Sequence, residues 1–348
     1  MYELSFNEDV CASCQSVDCL TKCQYIDIDR DSAREQMLKI AAGEEASVLH
    51  DCVTCYACEE YCDQGNHPFY LIARQQEALD IPPLPRPLIT YGVQMAVPWR
   101  GDLEIEELSE PVISLGVFSQ LASLIQGRLF EGVSLMSTER RTSFHLFCQL
   151  MYLHYARISL INDRLPGIID NIAKHGAQEV IFLHDECFGT YTSYADAFGI
   201  DIPFKPIHLF EFLHGRLLEL ENEIRPLGYK VAYQRPCSSR LSPQMLHHVD
   251  DIFELIGVEQ PEREYVGENA LCCAGVIRGL RQPGSVQRAR EIQQRNIQDM
   301  VDAGAQLCVM NCPACMGTLA GPLLEKGVMP IFMSDLCRLA IGEQPAGS

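Results

Sequence analysis

The N-terminal third of the sequence contains the run Cys52-Val53-Thr54-Cys55-Tyr56-Ala57-Cys58-Glu59-Glu60-Tyr61-Cys62. Its cysteines are separated by two, two and three residues, and an upstream group with spacings of two, four and three consists of Cys11, Cys14, Cys19 and Cys23. A short loop with three closely spaced cysteines can reach three corners of a cubane [4Fe-4S] cluster, because each iron takes one thiolate. Zinc sites more often use pairs of cysteines separated by a longer gap. The spacing therefore favours clusters.

The two groups resemble the cysteine runs of two-cluster ferredoxins, in which the last cysteine of each run binds the cluster of the other run. By that logic, the ligands of the first cube are Cys11, Cys14, Cys19 and Cys62. The ligands of the second cube are Cys52, Cys55, Cys58 and Cys23. The proline that usually follows the last cysteine is absent, since Gln24 and Asp63 occupy those positions.

The composition limits the class of protein. The chain has 348 residues, 17 cysteines and a formal net charge of −20. An odd cysteine count without a secretory signal speaks against a disulfide framework. Because the N-terminus has neither a basic nor an apolar region, and no run of 18 apolar residues exists, we expect a cytoplasmic protein without a membrane span, attached to a membrane only through a partner. The charge disfavours nucleic acid and suits a basic partner, although a solvated acidic surface explains it equally well.

Two features organise the N-terminal part of the chain. A capping box at Ser32 and Glu35 predicts the start of a helix, and Gly43 predicts its end. The proline-rich stretch at 81–87 predicts a stiff linker. We therefore expect a helical domain over residues 1–85.

The rest of the sequence repeats itself. The segment Gly176-Ala177-Gln178 precedes residues 179–190, and Gly304-Ala305-Gln306 precedes residues 307–318 at a constant offset of 128 residues. Each copy has the pattern of a helix, a short apolar strand and a turn with ligand-type side chains; in the second copy the helix is predicted from Ser285 to Ala303. The expected fold class is α+β overall, with the helical domain followed by two repeated α/β domains over 86–225 and 226–348.

The second repeat contains five cysteines in a distinctive pattern. These are Cys237, the adjacent pair Cys272 and Cys273, and the C-x2-C pair Cys312 and Cys315. Five converging thiolates exceed what a zinc ion or a single cube uses. The alternative is a set of unrelated buried cysteines that pack as small hydrophobic residues.

The pattern C-x34-C-C-x38-C-x2-C resembles the cysteine-rich domain of the B-type and D-type polypeptides of heterodisulfide reductase, which also occurs in the iron–sulfur subunit of glycolate oxidase. The order of a two-cluster ferredoxin followed by two such domains is similar to that of the D-type polypeptide and the glycolate oxidase protein. The resemblance implies that the five cysteines hold a catalytic non-cubane [4Fe-4S] cluster, on which a disulfide is cleaved in two one-electron steps. Two departures are the sequence Cys272-Cys273-Ala274-Gly275 in place of Cys-Cys-Gly and a slightly longer last spacer.

The first repeat lacks this ligand set. At the 128-residue offset, Phe144 and His145 correspond to the cysteine pair, and His184 and Cys187 correspond to Cys312 and Cys315. Two His-x2-Cys pairs remain, and they suggest one zinc ion bound by His145, Cys148, His184 and Cys187. The alternative is a decayed repeat in which these residues only pack. We expect Cys308 and Cys337 to be core thiols.

The resemblance implies an iron–sulfur subunit of a heterodisulfide reductase-like complex, with two cubane clusters, one non-cubane cluster and a thiol or disulfide substrate, either small or on a protein. Because no nucleotide-binding motif is visible, electrons must come from a partner, a flavoprotein or a hydrogenase- or dehydrogenase-type subunit. The alternative is a pure electron relay for a flavoprotein that oxidises a 2-hydroxy acid or another substrate. A third hypothesis is a scaffold whose C-terminal cysteines hold zinc.

Overall fold

Short helices alternate with the cysteine loops at the N-terminus. The computed structural model describes residues 2–95, 103, 105, 107–136 and 144–345. The first helices are α1 (Glu8–Ser13), α2 (Asp18–Thr21), α3 (Arg30–Ala41), α4 (Ser47–Asp51), α5 (Ala57–Tyr61), α6 (Pro68–Ala78) and α7 (Arg86–Met95). Three of the cysteines lie within α1, α2 and α5, and the others lie in the loops around them.

The predicted start of α3 is wrong by three residues, because the N-cap is Asp29 and not Ser32. The helix begins at Arg30, and the carboxylate of its N-cap residue Asp29 accepts hydrogen bonds from the backbone N–H groups of Asp31 and Ser32, both at 3.0 Å. Aspartate is as good an N-cap as serine, so the upstream residue takes the position. Glu35 does not complete a capping box but pairs with Lys39 at 2.6 Å.

Two small parallel sheets follow. The first consists of β1 (Val112–Ser114), β2 (Ser134–Met136), β3 (Glu179–Phe182) and β4 (Lys205–His208), in the order β2-β1-β3-β4. The second consists of β5 (Val231–Tyr233), β6 (Leu307–Met310) and β7 (Met329–Phe332), in that order. The series β1-β3-β4 and β5-β6-β7 have the same topology, so the strands repeat as the sequence does. The expectation of a mixed fold with small parallel sheets is confirmed.

Helices connect and cover the strands. They are α8 (Ile158–Ala173), α9 (Asp185–Gly189), α10 (Leu209–Glu219), α11 (Leu246–Leu255), α12 (Ser285–Asp302), α13 (Pro313–Glu325) and α14 (Met333–Ala340). After α9 the chain continues through a π-helical turn at Thr190–Tyr194 into a last helical turn at Ala195–Ala197. The predicted helix over 285–303 is confirmed within one residue. Within the described ranges, none of the helices has the length and apolar character that a bilayer crossing requires.

Equivalent turns of the two repeats contact each other. The side-chain amide of Asn311 donates a hydrogen bond to the carbonyl of Leu183 at 2.9 Å, and Nε2 of His184 lies 3.3 Å from Sγ of Cys312. In both contacts the two residues are 128 positions apart, which is the repeat offset. The carboxyl ends of β3 and β6 therefore meet face to face, and the turns that follow these strands lie between the repeats.

The N-terminal helices pack against both repeats. Tyr56 and Phe69 share a core with Tyr152 of the first repeat, whereas Val53 and Leu84 share one with Leu271 of the second. The proline-rich segment differs from a free linker, because Leu84 is buried and the backbone N–H of Arg281 donates to the carbonyl of Pro83 at 2.9 Å. A fragment cut at residue 85 would expose these cores, so experiments on this protein require the whole chain.

A buried ion-pair network joins α5 to the second repeat. The carboxylate of Glu60 contacts Nη1 of Arg235 at 2.9 Å and Nη1 of Arg240 at 2.6 Å, and all three side chains are at most 7% exposed. A buried charge is tolerated only when it is paired and hydrogen-bonded. The two guanidinium groups are removed from water, and Glu60 supplies the negative charge that pairs with both of them.

We expect Glu60→Ala to destabilise the protein, because the substitution leaves two buried guanidinium groups without their carboxylate. Breaking a buried pair in this way costs about 3–5 kcal/mol. Thermal unfolding of the anaerobically purified full chain should show a midpoint several degrees below that of the wild type. Glu35→Ala, which removes an exposed pair with Lys39, is the control and should melt near the wild type. Equal midpoints for the two variants would contradict the role assigned to Glu60.

Candidate metal centres

The first group of thiols combines both N-terminal runs. One cavity is lined by the four cysteines Cys11, Cys14, Cys19 and Cys62, together with Arg34 and Asn66 among others. The backbone N–H of Asn66 donates to Sγ of Cys62 at 3.3 Å. Burial, followed by repulsion from the other three thiols, raises the pKa of Cys19. The last cysteine of the second run therefore lies with the first three cysteines of the first run, which is the grouping expected for two-cluster ferredoxins.

The second group lies directly beside the first. Its cavity is lined by Cys23, Cys52, Cys55 and Cys58, and Cys19 lines both cavities. Thr54 and Tyr56 have φ angles of 57° and 62°, so the loop uses a left-handed conformation that is uncommon outside glycine. This conformation turns the chain between successive cysteines, and the backbone N–H of Thr54 donates to Sγ of Cys52 at 3.4 Å. Burial and then the thiol of Cys23 raise the pKa of Cys55 to about 12.

The third group is a row of neighbouring, electrostatically coupled thiols in the second repeat. The contacts run from Cys237 through Cys272, Cys273 and Cys315 to Cys312. The turn after β5, the loop before α12 and the amino end of α13 supply them. The interaction with Cys315 lowers the pKa of Cys312, whereas burial raises it. The nearby His184 adds to the lowering, and the resulting pKa is about 6.

The departure from Cys-Cys-Gly has a structural outcome. Ala274 adopts a left-handed conformation with a φ of 60°, and its backbone N–H donates to Sγ of Cys272 at 3.2 Å. A non-glycine residue in this region costs about 1–3 kcal/mol. The next residue, Gly275, lacks free space, because a Cβ atom there would lie 3.0 Å from Oγ1 of Thr318 and 3.6 Å from Sγ of Cys273. The chain keeps a tight turn by placing alanine in the left-handed position and glycine in the crowded one.

The three groups form a continuous series. Cys19 is shared by the walls of the first two cavities, and the thiols of Cys55 and Cys237 are close enough to interact electrostatically. Tyr25 lies at the same junction, where its hydroxyl oxygen accepts a hydrogen bond from the backbone N–H of Cys272 at 3.0 Å. The second group therefore lies between the first and the third.

The spacing of the sulfur atoms can be compared with that of a zinc site. A tetrahedral zinc site with Zn–S bonds of about 2.3 Å brings its sulfur atoms to about 3.8 Å from one another. Among the described residues, which include all 17 cysteines, three ligand atoms lie within 4.8 Å of one another only at His214, His248 and Asp251. In none of the three thiol groups, therefore, do three described sulfur atoms lie as close together as the ligands of one zinc ion.

Two histidines of the first repeat face the two ends of the row of thiols. His184 contacts Cys312 at one end, and His154 lies close enough to Cys237 at the other end to interact with its thiol electrostatically. Oε1 of Glu186 lies 3.6 Å from Nε2 of His154, and Oε2 lies 3.9 Å from Nδ1 of His184. The three side chains are largely buried, and they span the row on the side of the first repeat.

The surroundings of both imidazoles favour their charged forms. Burial lowers the pKa of His154, but the interactions with Cys237 and Glu186 outweigh burial and raise the pKa to about 10. Burial also lowers the pKa of His184, but the nearby Cys312 and then Glu186 outweigh burial and raise the pKa to about 10. His154 is further held by the N-terminal helices, with Tyr56 Oη 3.0 Å from its Nε2 and Thr54 Oγ1 2.9 Å from its Nδ1. Each end of the row therefore combines a thiol with an imidazole whose pKa is raised.

Sequence reasoning missed His154, Glu186 and Tyr56. Tyr56 lies within the Cys52–Cys62 run, but only the fold brings the three side chains to the third group. Glu186 lies in the turn that the 128-residue offset aligns with the Cys312 turn, which is the one signal the sequence offered.

The four residues of the expected zinc site are not gathered. The thiols of Cys148 and Cys187 contact each other, but His184 lies against Cys312. No three ligand atoms of His145, Cys148, His184 and Cys187 lie within 4.8 Å of one another. The reason is the contact between the repeats, which draws His184 away from its own repeat. Cys308 and Cys337 are fully buried in apolar surroundings, as expected for core thiols.

Comparison with known families supports the assignment of the second repeat. Residues 231–320 match the family model of the cysteine-rich domain, named CCG. The matched segment contains all five cysteines of the third group and covers the second repeat rather than the whole chain. No curated protein matches the chain at a significant level. The segment that carries the row of thiols is thus similar to the cysteine-rich domain, which is found in the B-type and D-type polypeptides of heterodisulfide reductase and in related iron–sulfur proteins.

Proposed function

We propose that this chain is the iron–sulfur subunit of a heterodisulfide reductase-like complex and that thiol/disulfide redox chemistry takes place at Cys237, Cys272, Cys273, Cys312 and Cys315. The observation that carries the proposal is the convergence of these five cysteines, from three separate loops, into one row between the repeats. A structural zinc ion needs four ligands at close range. Five thiols in an open arrangement suit a non-cubane [4Fe-4S] cluster, and the first and second groups suit one cubane cluster each.

The route for electrons follows from the order of the groups. When bound, the clusters would supply one-electron transfer, whereas reduction of a disulfide consumes two electrons and two protons and yields two thiols. The cysteines of both N-terminal groups are partly buried, but those of the first group lie beside the exposed residues Ala12, Ser13 and Gln15. The second group is enclosed and borders the third. Electrons would therefore enter at the first group and reach the substrate site through the second.

The side chains around the third group control charge. Nε2 of His184 lies 3.3 Å from Sγ of Cys312, His154 lies beside Cys237, and the carboxylate of Glu186 lies 3.6 Å and 3.9 Å from the two imidazoles. Hydrogen bonds to sulfur stabilise the more negative, reduced state of an iron–sulfur centre. The first repeat would thus tune the centre that the second repeat binds.

The donor of electrons is a partner. The sequence contains no nucleotide-binding motif, and its net charge of −20 suits a flavoprotein or a hydrogenase- or dehydrogenase-type subunit with a basic docking face. The substrate would be a small thiol or disulfide, or a disulfide on another protein. The complex would work in the cytoplasm or on a membrane-bound partner.

Addition of a thiol distinguishes the reductase from an electron relay. Oxidised, cluster-loaded chain mixed with 2-mercaptoethanol should develop a new EPR signal that broadens when the protein is loaded with ⁵⁷Fe. Cys272→Ser and Cys312→Ser should each abolish this signal and leave the signals of the first two groups, whose ligands lie elsewhere in the chain. Cys308→Ala, a change of a buried thiol four residues before Cys312, is the matched control and should keep the signal. If the thiol leaves the EPR spectrum unchanged, the reductase function is wrong and the electron-relay function remains.

A second experiment tests the role of the first repeat. His184→Leu removes the hydrogen bond to Cys312, so we expect a lower midpoint potential for the third group. A tenfold change in a one-electron equilibrium corresponds to about 59 mV, and a loss of this order is expected in an EPR-monitored redox titration. His50→Leu, a change at an exposed histidine that pairs with Glu45, should leave the potential unchanged. An unaltered potential in His184→Leu would show that this histidine only packs.

A further inference from the structure

A large cleft lies on the second repeat, beside the third group of thiols, and none of its lining residues is a cysteine. Its volume is about 630 Å³, and it is bounded by β5, by α11 and by the loop over residues 260–270. Ligand pockets typically measure about 300–1,000 Å³. The cleft therefore has the size of a binding site for a small molecule.

Two buried arginines line this cleft with unused donors. The side chain of Arg263 is 2% exposed, and its Nε donates to Asp299 at 2.9 Å. Its Nη1 and Nη2 have no hydrogen-bond partner among the described residues. The side chain of Arg235 is also 2% exposed, and its Nη2 is unpartnered in the same part of the chain. Both side chains line the cleft.

The hydroxyl of Tyr233 adds a third unused group. Tyr233 lines the cleft at the end of β5, and no described residue bonds to its buried hydroxyl. A buried polar group left unpaired is unfavourable, because it has lost its hydrogen bonds to water. Three such side chains around one cleft are therefore explained most simply by a molecule that accepts their hydrogen bonds. The planar fork of a guanidinium matches the two oxygens of a carboxylate.

The other residues that line the cleft indicate the chemical character of the rest of that molecule. Val231, Leu246, Val249 and Ala270 form apolar walls, which suit a hydrocarbon chain and not a bare inorganic anion. Asp250 and Glu262 also line the cleft, but both are exposed and lie at its rim. Their charges would repel a second anionic group at the mouth. The ligand therefore carries its negative charge at the inner end only.

We propose that this cleft binds a small organic carboxylate, with the carboxylate held by Arg263, Arg235 and Tyr233 and the apolar body between β5 and α11. The site goes beyond the proposed redox function, because it contains no cysteine and its occupancy can be measured without turnover. It is adjacent to the third group, since Arg235 precedes Cys237 by two residues. A ligand bound here would lie next to the chain segment that carries the first thiol of the row.

Ligand-observed NMR on the full, cluster-loaded chain tests the site with hexanoate as the probe. Hexanoate should bind. Hexanol has the same hydrocarbon chain without the charge, and inorganic phosphate has charge without the chain. Both should bind at least about tenfold more weakly than hexanoate. Arg263→Gln should weaken hexanoate about tenfold or more, by loss of a charge-assisted pair. Tyr233→Phe should weaken it about two- to tenfold, by loss of one neutral hydrogen bond. Arg290→Gln, at an exposed arginine of α12, has the same charge change and should bind as the wild type does.

Three results would overturn the proposal. Equal binding of hexanol would show that the arginines play no part, and equal binding of phosphate would show that the apolar walls play none. Unchanged hexanoate affinity in Tyr233→Phe would show that binding occurs elsewhere. The tyrosine variant keeps the ring that packs against β6 and α10, so it decides the question even if Arg263→Gln does not fold.

Discussion

The contact between the turn after β3 and the turn after β6 is the constraint on which the rest of the structure depends. It places His184 against Cys312 and Asn311 against Leu183, at positions related by the repeat offset. Because equivalent turns face each other, a ligand site built on one repeat is closed by the other. A single repeat could not enclose the row of thiols, and the buried polar groups on both sides would lack their partners.

This arrangement explains how two copies of one unit acquired different roles. The second repeat retains the five cysteines, whereas the first presents His184 and Glu186 at the turn equivalent to that of Cys312 and Cys315. The N-terminal helices complete the enclosure, because Tyr56 and Thr54 orient His154 and Glu60 neutralises Arg235 and Arg240. The three parts of the chain thus share cores and charges, and the second thiol group lies against the third.

Much of this organisation was accessible from the sequence, and the exceptions have physical reasons. Cysteine spacing predicted which thiols share a wall, because short loops restrict what a backbone can reach; the 128-residue offset predicted the paired strands and helix α12. The start of α3 was missed because Asp29 competes with Ser32 as a cap, and the proline-rich stretch was misread because its burial depends on Leu271 and its neighbours. His154 and the unpaired guanidinium of Arg263 depend on tertiary contacts, for which local spacing carries no signal.

The central claim is that the thiols of the second repeat hold a polynuclear iron centre closed by the first repeat. Quantifying iron, zinc and acid-labile sulfide on the anaerobically reconstituted full chain tests it most directly, with Cys237→Ser as the comparison. With four irons for each of three centres, the wild type should bind about 12 irons and no zinc, and the variant should lose about four irons or show an altered ⁵⁷Fe Mössbauer component. About eight irons with one zinc in the wild type, or an iron content and Mössbauer spectrum that Cys237→Ser leaves unchanged, would contradict the claim.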